Sequence, residues 1–199
     1  MIAGIILAAG DSRRMGSPKA LLEYRGETFV ARLVRIFAKF CDPVIVVAGR
    51  HADQIRAAVN VPVVVNSDPD RGQLSSLQAA LMDLFPVGQA VAFQPPVVPG
   101  FLFTPVDCPA FQESTVSSLI ESFRRNAAPF VIPKYRGKRG HPVLVKGSLA
   151  HEFLALPPTE ETRVVVNRYA DAIRYIDLDD AGVLADVDDP EAYRALVAR

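Results

Sequence analysis

Residues 5–22 read "IILAAGDSRRMGSPKALL". A run of apolar residues ends in Ala8, Ala9 and Gly10, and Arg13, Arg14 and Lys19 follow within ten residues of that glycine. Small residues at the end of a strand let the backbone come close to a ligand, because nothing larger than a methyl projects from it. In open parallel sheets ligands sit beyond the carboxyl ends of the strands, where this loop would lie. Arg14 and Lys19 would add charge-assisted bonds to phosphate oxygens, so the natural guest is a triphosphate.

Apolar runs of strand length alternate with amphipathic stretches outward from this loop. "TFVARLVRIFAKF" is followed by "PVIVVAG", "ADQIRAAV", "VPVVVNS" and "LSSLQAALMDLF". That rhythm predicts βαβ units, and the continuous apolar strands predict a parallel sheet covered on both faces. Residues 87–100, with three prolines, are expected to form a loop before the buried strand "FLFTPVD", and a helix is expected over 112–125. The rest, "FVIPKYRGKRGHPVLV", "AIRYIDL" and a short helix at "PEAYRALV", is expected to add a layer of mixed strands. The expectation is one domain over residues 1–199, of Rossmann-like, three-layer α/β class with a mostly parallel sheet.

Charge and cysteine content remove several function classes. Lys and Arg total 22 and so do Asp and Glu, so no global field recruits nucleic acid or an acidic membrane. The apolar start lacks the basic flank of a signal peptide and the length of a membrane span, so a cytoplasmic protein is expected. Cys41 and Cys108 show no CxxC spacing, which argues against a disulfide framework or a zinc site. The loop is neither a Walker motif, since five residues separate Gly10 from Gly16, nor a GxGxxG fingerprint. Neither His51 nor His151 has neighbours that suggest a catalytic triad, and both read as surface residues.

Two further segments offer carboxylates. "FLFTPVDCP" puts Asp107 at the end of an expected central strand, where it is either a turn residue or a hard oxygen ligand facing the same crevice. "LADVDDPEAY" supplies Asp186, Asp188 and Asp189. Asp189, directly before Pro190, reads as a helix cap, whereas Asp186 and Asp188 alternate along an extended segment and face one side.

The first stretch closely resembles the pattern LAAGxSxRMGxxKxLL of nucleotidyltransferases of the MobA-like family, which includes molybdenum cofactor cytidylyl- and guanylyltransferases. Leu7, Ala8, Ala9, Gly10, Ser12, Arg14, Met15, Gly16, Lys19, Leu21 and Leu22 fall on its positions. The resemblance continues at "NSDPDRGQLSSLQAAL", "TPVDCP", "GHPVLV" and "DVDDPEAY".

It implies an Mg²⁺-dependent nucleotidyltransferase in which Asp107 and an acid of the last segment hold the metal. Asp186 is favoured over Asp188, and Asp189 stands where the family has Thr. Arg14, Lys19 and the loop from Leu7 to Gly10 would hold the phosphates of the nucleoside triphosphate. Asn66, Gly72, Ser75 and Ser76 would surround its base, although Ser75 and Ser76 equally read as helix caps. Ala9 resembles the cytidylyl branch, which favours CTP. Lys138, Arg139, Gly140 and His141 would line the site of a molybdopterin-type acceptor, with an apo molybdoenzyme as recipient. GTP, a sugar phosphate acceptor and a non-catalytic accessory protein are the alternatives.

Overall fold

The computed structural model describes residues 1–12, 14–85 and 98–198. Arg13 and most of the expected proline-rich loop lie outside them. Strand β1 (Ile2–Ala8) is buried throughout, and its side chains alternate between two cores. Ile2, Ile6 and Ala8 enter one, and Ala3, Ile5 and Leu7 enter the other. This is why the run is apolar at every position rather than at every second one.

The elements that follow give the first core its helices. A short hairpin of β2 (Glu23–Tyr24) and β3 (Glu27–Thr28) leads into α1 (Phe29–Ala38). The Thr28 hydroxyl caps that helix by accepting from the Ala31 N–H. Strand β4 (Cys41–Ala48), α2 (Ala52–Ala58), β5 (Val63–Val65) and α3 (Gln73–Leu84) come next. After the described residues resume, β6 (Gly100–Pro105) and α4 (Glu113–Asn126) complete this half. Helices α1, α2 and α4 pack on one face through Leu33, Phe37, Ile55, Leu119 and Phe123, and α3 packs on the other through Leu74, Leu77 and Leu81.

The second half is β7 (Phe130–Tyr135), β8 (Lys138–Arg139), β9 (Val143–Lys146), α5 (Ala150–Leu154), α6 (Arg163–Arg168), β10 (Arg174–Asp177) and α7 (Pro190–Val197). These strands do not form a layer of their own, as the sequence led us to expect. They extend the one sheet, whose order is β10-β7-β9-β6-β1-β4-β5 with β8 paired to β7. The reason is that β6 has a free edge, and β9 pairs with it antiparallel, Phe101 opposite Val145 and Phe103 opposite Val143. Strands β7 and β10 return to the direction of β1, so the sheet is mostly parallel.

Strands β1, β4 and β5 step one way across the sheet, and β6 then joins the other side of β1. The strand order therefore reverses between β1 and β6, and the crevice at such a reversal is where ligands bind. The chain leaves β1 into the opening loop and leaves β6 into Asp107, so both segments meet there.

Candidate active site

The loop after β1 is held by its own polar groups. Ser12, with φ of 52°, accepts the Lys19 N–H on Oγ at 2.9 Å and the Met15 N–H on its carbonyl at 2.9 Å. This folds the loop so that the Lys19 side chain turns inward. Its ammonium donates at 2.9 Å to Asp107 Oδ2 and at 2.9 Å to Asp188 Oδ1. Burial works against the Lys19 charge, yet the bonds to Asp188 and Asp107 outweigh it and hold its pKa above the ordinary lysine value. The Arg14 guanidinium lies 3.7 Å from the same Asp188 oxygen and is largely exposed.

A strap formed by residues 180–189 brings the last acids to the crevice. The buried Asp180 carboxylate accepts from the Gln112 N–H, the Thr115 hydroxyl and the Gly182 N–H, tying the strap to the start of α4. The His141 N–H donates to the Val183 carbonyl, and a Cβ on Gly140 would stand 2.1 Å from that carbonyl oxygen, so only glycine fits. Finally the Val187 N–H donates to the Asp107 carbonyl at 3.0 Å, and Val187 is buried. With Val187 turned inward, Asp186 and Asp188 face outward on either side of it, as the alternation predicts. Asp189 caps α7 by accepting from the Glu191 and Ala192 N–H groups.

Asp107, Cys108 and Asp186 place ligand atoms within 4.8 Å of one another. Partial burial of the Asp186 carboxyl, and then repulsion from Asp107 and Asp188, push its pKa up to about 6 against the pull of Lys19 and Arg14. Burial first, and then Asp107 and Asp186, push the Cys108 thiol well above its usual range. The donors on offer at neutral pH are thus carboxylate oxygens carrying more negative charge than Lys19 and Arg14 balance. That donor set suits a hard divalent cation such as Mg²⁺.

Asp186 holds its proton more tightly in the folded chain than in the unfolded one. Its contribution to stability is therefore full below about pH 4 and is lost as pH rises through about 6. A divalent cation held by Asp186 would have to displace that proton, so its affinity would fall by about tenfold per pH unit below 6. Titrations of Mn²⁺ at pH 5 and pH 7 check this, and equal affinities would exclude Asp186 as a ligand.

A cavity of about 420 Å³ opens beside these groups. Leu7, Ala8, Ala9 and Gly10 line it, as do Arg14, Lys19, Asp107 and Asp188. Gly72 and Ser76 line its other side, where Gly72, at φ of 100°, starts α3. Asn66 and Ser75 lie in a layer behind. The Asn66 amide donates to Ser75 Oγ at 2.9 Å and to Ser76 Oγ at 3.1 Å, which fixes the Ser76 hydroxyl at the wall. Neither serine is the helix cap: both sit within α3, and Ser75 bonds back to the Gly72 carbonyl.

The predicted acceptor residues divide. The His141 ring comes to the acids, with Nδ1 at 3.8 Å from Cys108 Sγ. Burial lowers its pKa against the pull of Asp107, so the imidazole is neutral at pH 7. Lys138 and Arg139 form the exposed strand β8, with the Arg139 guanidinium 5.0 Å from the centre of the Tyr175 ring, and none of the four residues 138–141 lines the cavity.

Two features of the cavity wall and one tie beside it were not expected. His51, read as a surface residue, is half-buried in the wall because α2 begins beside the loop. Gln73 lines the cavity at the start of α3. Arg50 bonds Asp11 at 2.7 Å and Asp70 at 2.9 Å, crossing from the opening loop to the turn before α3. Such a tie joins residues far apart in sequence, which no local signal announces.

The chain matches the family model described as a MobA-like NTP transferase domain over residues 4–173. It is 31% identical, over 98% of its length and 96% of the relative's, to the nicotine blue oxidoreductase of Paenarthrobacter nicotinovorans. It is 32% identical to a protein named as a probable molybdenum cofactor guanylyltransferase of Rhodopirellula baltica, a match spanning 66% of this chain and 60% of that one. Against the molybdenum cofactor cytidylyltransferase of Escherichia coli it is 25% identical over 95% and 92% of the two chains. Among solved structures, Rv0371c of Mycobacterium tuberculosis superposes with a TM-score of 0.80 at 27% identity, covering 100% and 97% of the two chains. That protein has also been solved in complex with manganese.

Proposed function

This chain belongs to the MobA-like NTP transferase family, and on that premise we propose that it transfers CMP from CTP to the phosphate of a molybdopterin-type acceptor, releasing pyrophosphate. The observation that carries the reading is the meeting of three groups at one cavity: the LAAG loop, the paired cations Arg14 and Lys19, and the acids Asp107 and Asp188, with Asp186 close to Asp107. Two of the relatives are named for transfer of a nucleotidyl group to molybdenum cofactor.

In this reading the loop N–H groups, Arg14 and Lys19 hold the β- and γ-phosphates and neutralise the pyrophosphate as it leaves. The acceptor's phosphate oxygen attacks the α-phosphorus in line, a P–O bond forms, and the bond to the β-phosphate oxygen breaks. Asp107 and Asp186, with Asp188 beside them, would hold Mg²⁺. Bound there, the ion would supply positive charge to the phosphate oxygens. No side-chain nucleophile is required. Gly72 and Ser76 face the base, with Asn66 and Ser75 setting the Ser76 hydroxyl. His141 is the acceptor-side residue nearest the acids, and Lys138, Arg139 and Gly140 extend that side outward.

The test is pyrophosphate release from CTP, GTP, ATP or UTP with Mg²⁺ and molybdopterin, preceded by thermal shifts with each nucleotide. A ligand bound only by the folded chain raises the melting temperature by mass action. The largest shift and turnover are expected with CTP. A preference for GTP would move the reading to guanylyl transfer, and turnover only with a sugar phosphate would change the acceptor. Shifts without turnover would leave an accessory binding protein. The relative named as a nicotine blue oxidoreductase, similar over nearly the whole chain, favours a second reading: turnover of a redox substrate without pyrophosphate release would replace transfer by redox chemistry.

A further inference from the structure

Two acids flank the buried Val187, and their surroundings differ. Asp186 keeps a donor atom within 4.8 Å of those of Asp107 and Cys108. Asp188 belongs to no such group among the described residues. Its Oδ1 stands instead 2.9 Å from the Lys19 ammonium and 3.7 Å from the Arg14 guanidinium, so both cations share that one oxygen. Two positive charges drawn to the same crevice repel each other, and a carboxylate between them offsets the repulsion. Asp107 divides its two oxygens: Oδ2 accepts from Lys19, while Oδ1 lies on the other side, 3.9 Å from Cys108 Sγ.

We propose that Asp188 is a positioning residue, which sets the Lys19 and Arg14 donors toward the phosphates and is not itself a ligand of the metal. This rests on the transferase reading. A lysine ammonium carries three N–H donors on a flexible four-carbon stem. Bonded to Asp107 alone, it would still turn about that bond. With Asp107 and Asp188 both accepting, the direction of the remaining N–H is fixed, and Lys19 lines the cavity where a phosphate oxygen would meet it. Donors fixed in advance need no reorganisation as charge develops on the leaving pyrophosphate. Asp188 adds nothing to ground-state binding, since its own charge opposes that of the phosphates. Its side chain is half-exposed, and the strap is tied down by Asp180, Val183 and Val187, so the fold does not depend on it.

Two measurements on the full chain without nucleotide test this. In Mn²⁺ titrations followed by electron paramagnetic resonance at pH 7, Asp188→Asn should bind within about threefold of the wild type, whereas Asp186→Asn should lose about tenfold or more. Nitrogen NMR of the lysine ammonium groups, with Lys19 assigned by its loss in Lys19→Arg, should show Lys19 protons exchanging with water about fivefold or more faster in Asp188→Asn than in the wild type. Equal losses of Mn²⁺ affinity in the two Asp variants, or unchanged Lys19 exchange, would overturn the proposal. Turnover supplies the third readout: Asp188→Asn should lower kcat by about tenfold without raising KM for CTP. A raised KM with kcat unchanged would make Asp188 a binding group and refute the positioning role. If the wild type turns over no nucleotide, the transferase reading fails by itself, and the first two measurements still decide whether Asp188 holds the cations or the metal.

Discussion

Asp107→Ala should lower the rate of pyrophosphate release by about 10³-fold or more, equivalent to about 4 kcal/mol of transition-state stabilisation. Asp107 stands at the strand reversal, bonded to Lys19 and within the Asp107, Cys108 and Asp186 cluster. Its removal takes away one oxygen donor and the partner that draws Lys19 inward. The fold should survive, because Asp107 is only half-buried and its backbone carbonyl still accepts from Val187. Circular dichroism and the melting temperature provide the control. A folded Asp107→Ala protein that keeps wild-type turnover would end the assignment of Asp107 to the metal.

Lys19→Ala has the second largest expected effect, and it falls on a different quantity. A hydrogen bond to a charged phosphate is worth about 1.5–3 kcal/mol, so CTP should bind about 10- to 100-fold more weakly. CMP, which lacks the leaving phosphates, should lose far less. Isothermal titration with both nucleotides separates the two, and equal losses would mean that Lys19 does not contact the leaving group. The same substitution leaves Asp107 and Asp188 without their shared ammonium. Arg14, at 3.7 Å from Asp188 and largely exposed, compensates poorly. The ligand-free variant should therefore melt lower than the wild type at pH 7. The difference should narrow at pH 5, where Asp186, with its pKa of about 6, is mostly protonated and the cluster carries less negative charge.

Local chain properties made much of this protein readable in advance. The unbroken apolar run of β1 announces burial on both faces, since a strand with one wet face would alternate. The Ala-Ala-Gly end of that strand and the basic residues after it are readable as they stand, and eleven pattern positions in that stretch identify the family. Asp189 before Pro190 reads as a cap, and it is one. Each of these signals lies within a few residues, where backbone sterics and side-chain periodicity act directly.

What the tertiary structure alone decided is which distant groups meet. That β9 pairs with β6 and draws β7 and β10 into one sheet depends on a free strand edge, which no local pattern displays. The partition of Asp186 to the Cys108 side and of Asp188 to Lys19 and Arg14 depends on the Val187 to Asp107 backbone bond and on the inward turn of Val187. Asn66 standing behind Ser76, Arg50 bridging Asp11 and Asp70, and His141 reaching Cys108 are likewise contacts between segments far apart in the chain. The sequence by itself determined the elements and the chemical identity of the loop, because those follow from short-range forces. The arrangement of charges around the cavity was left to packing, because Coulomb and hydrogen-bond energies depend on distances that only the folded chain sets.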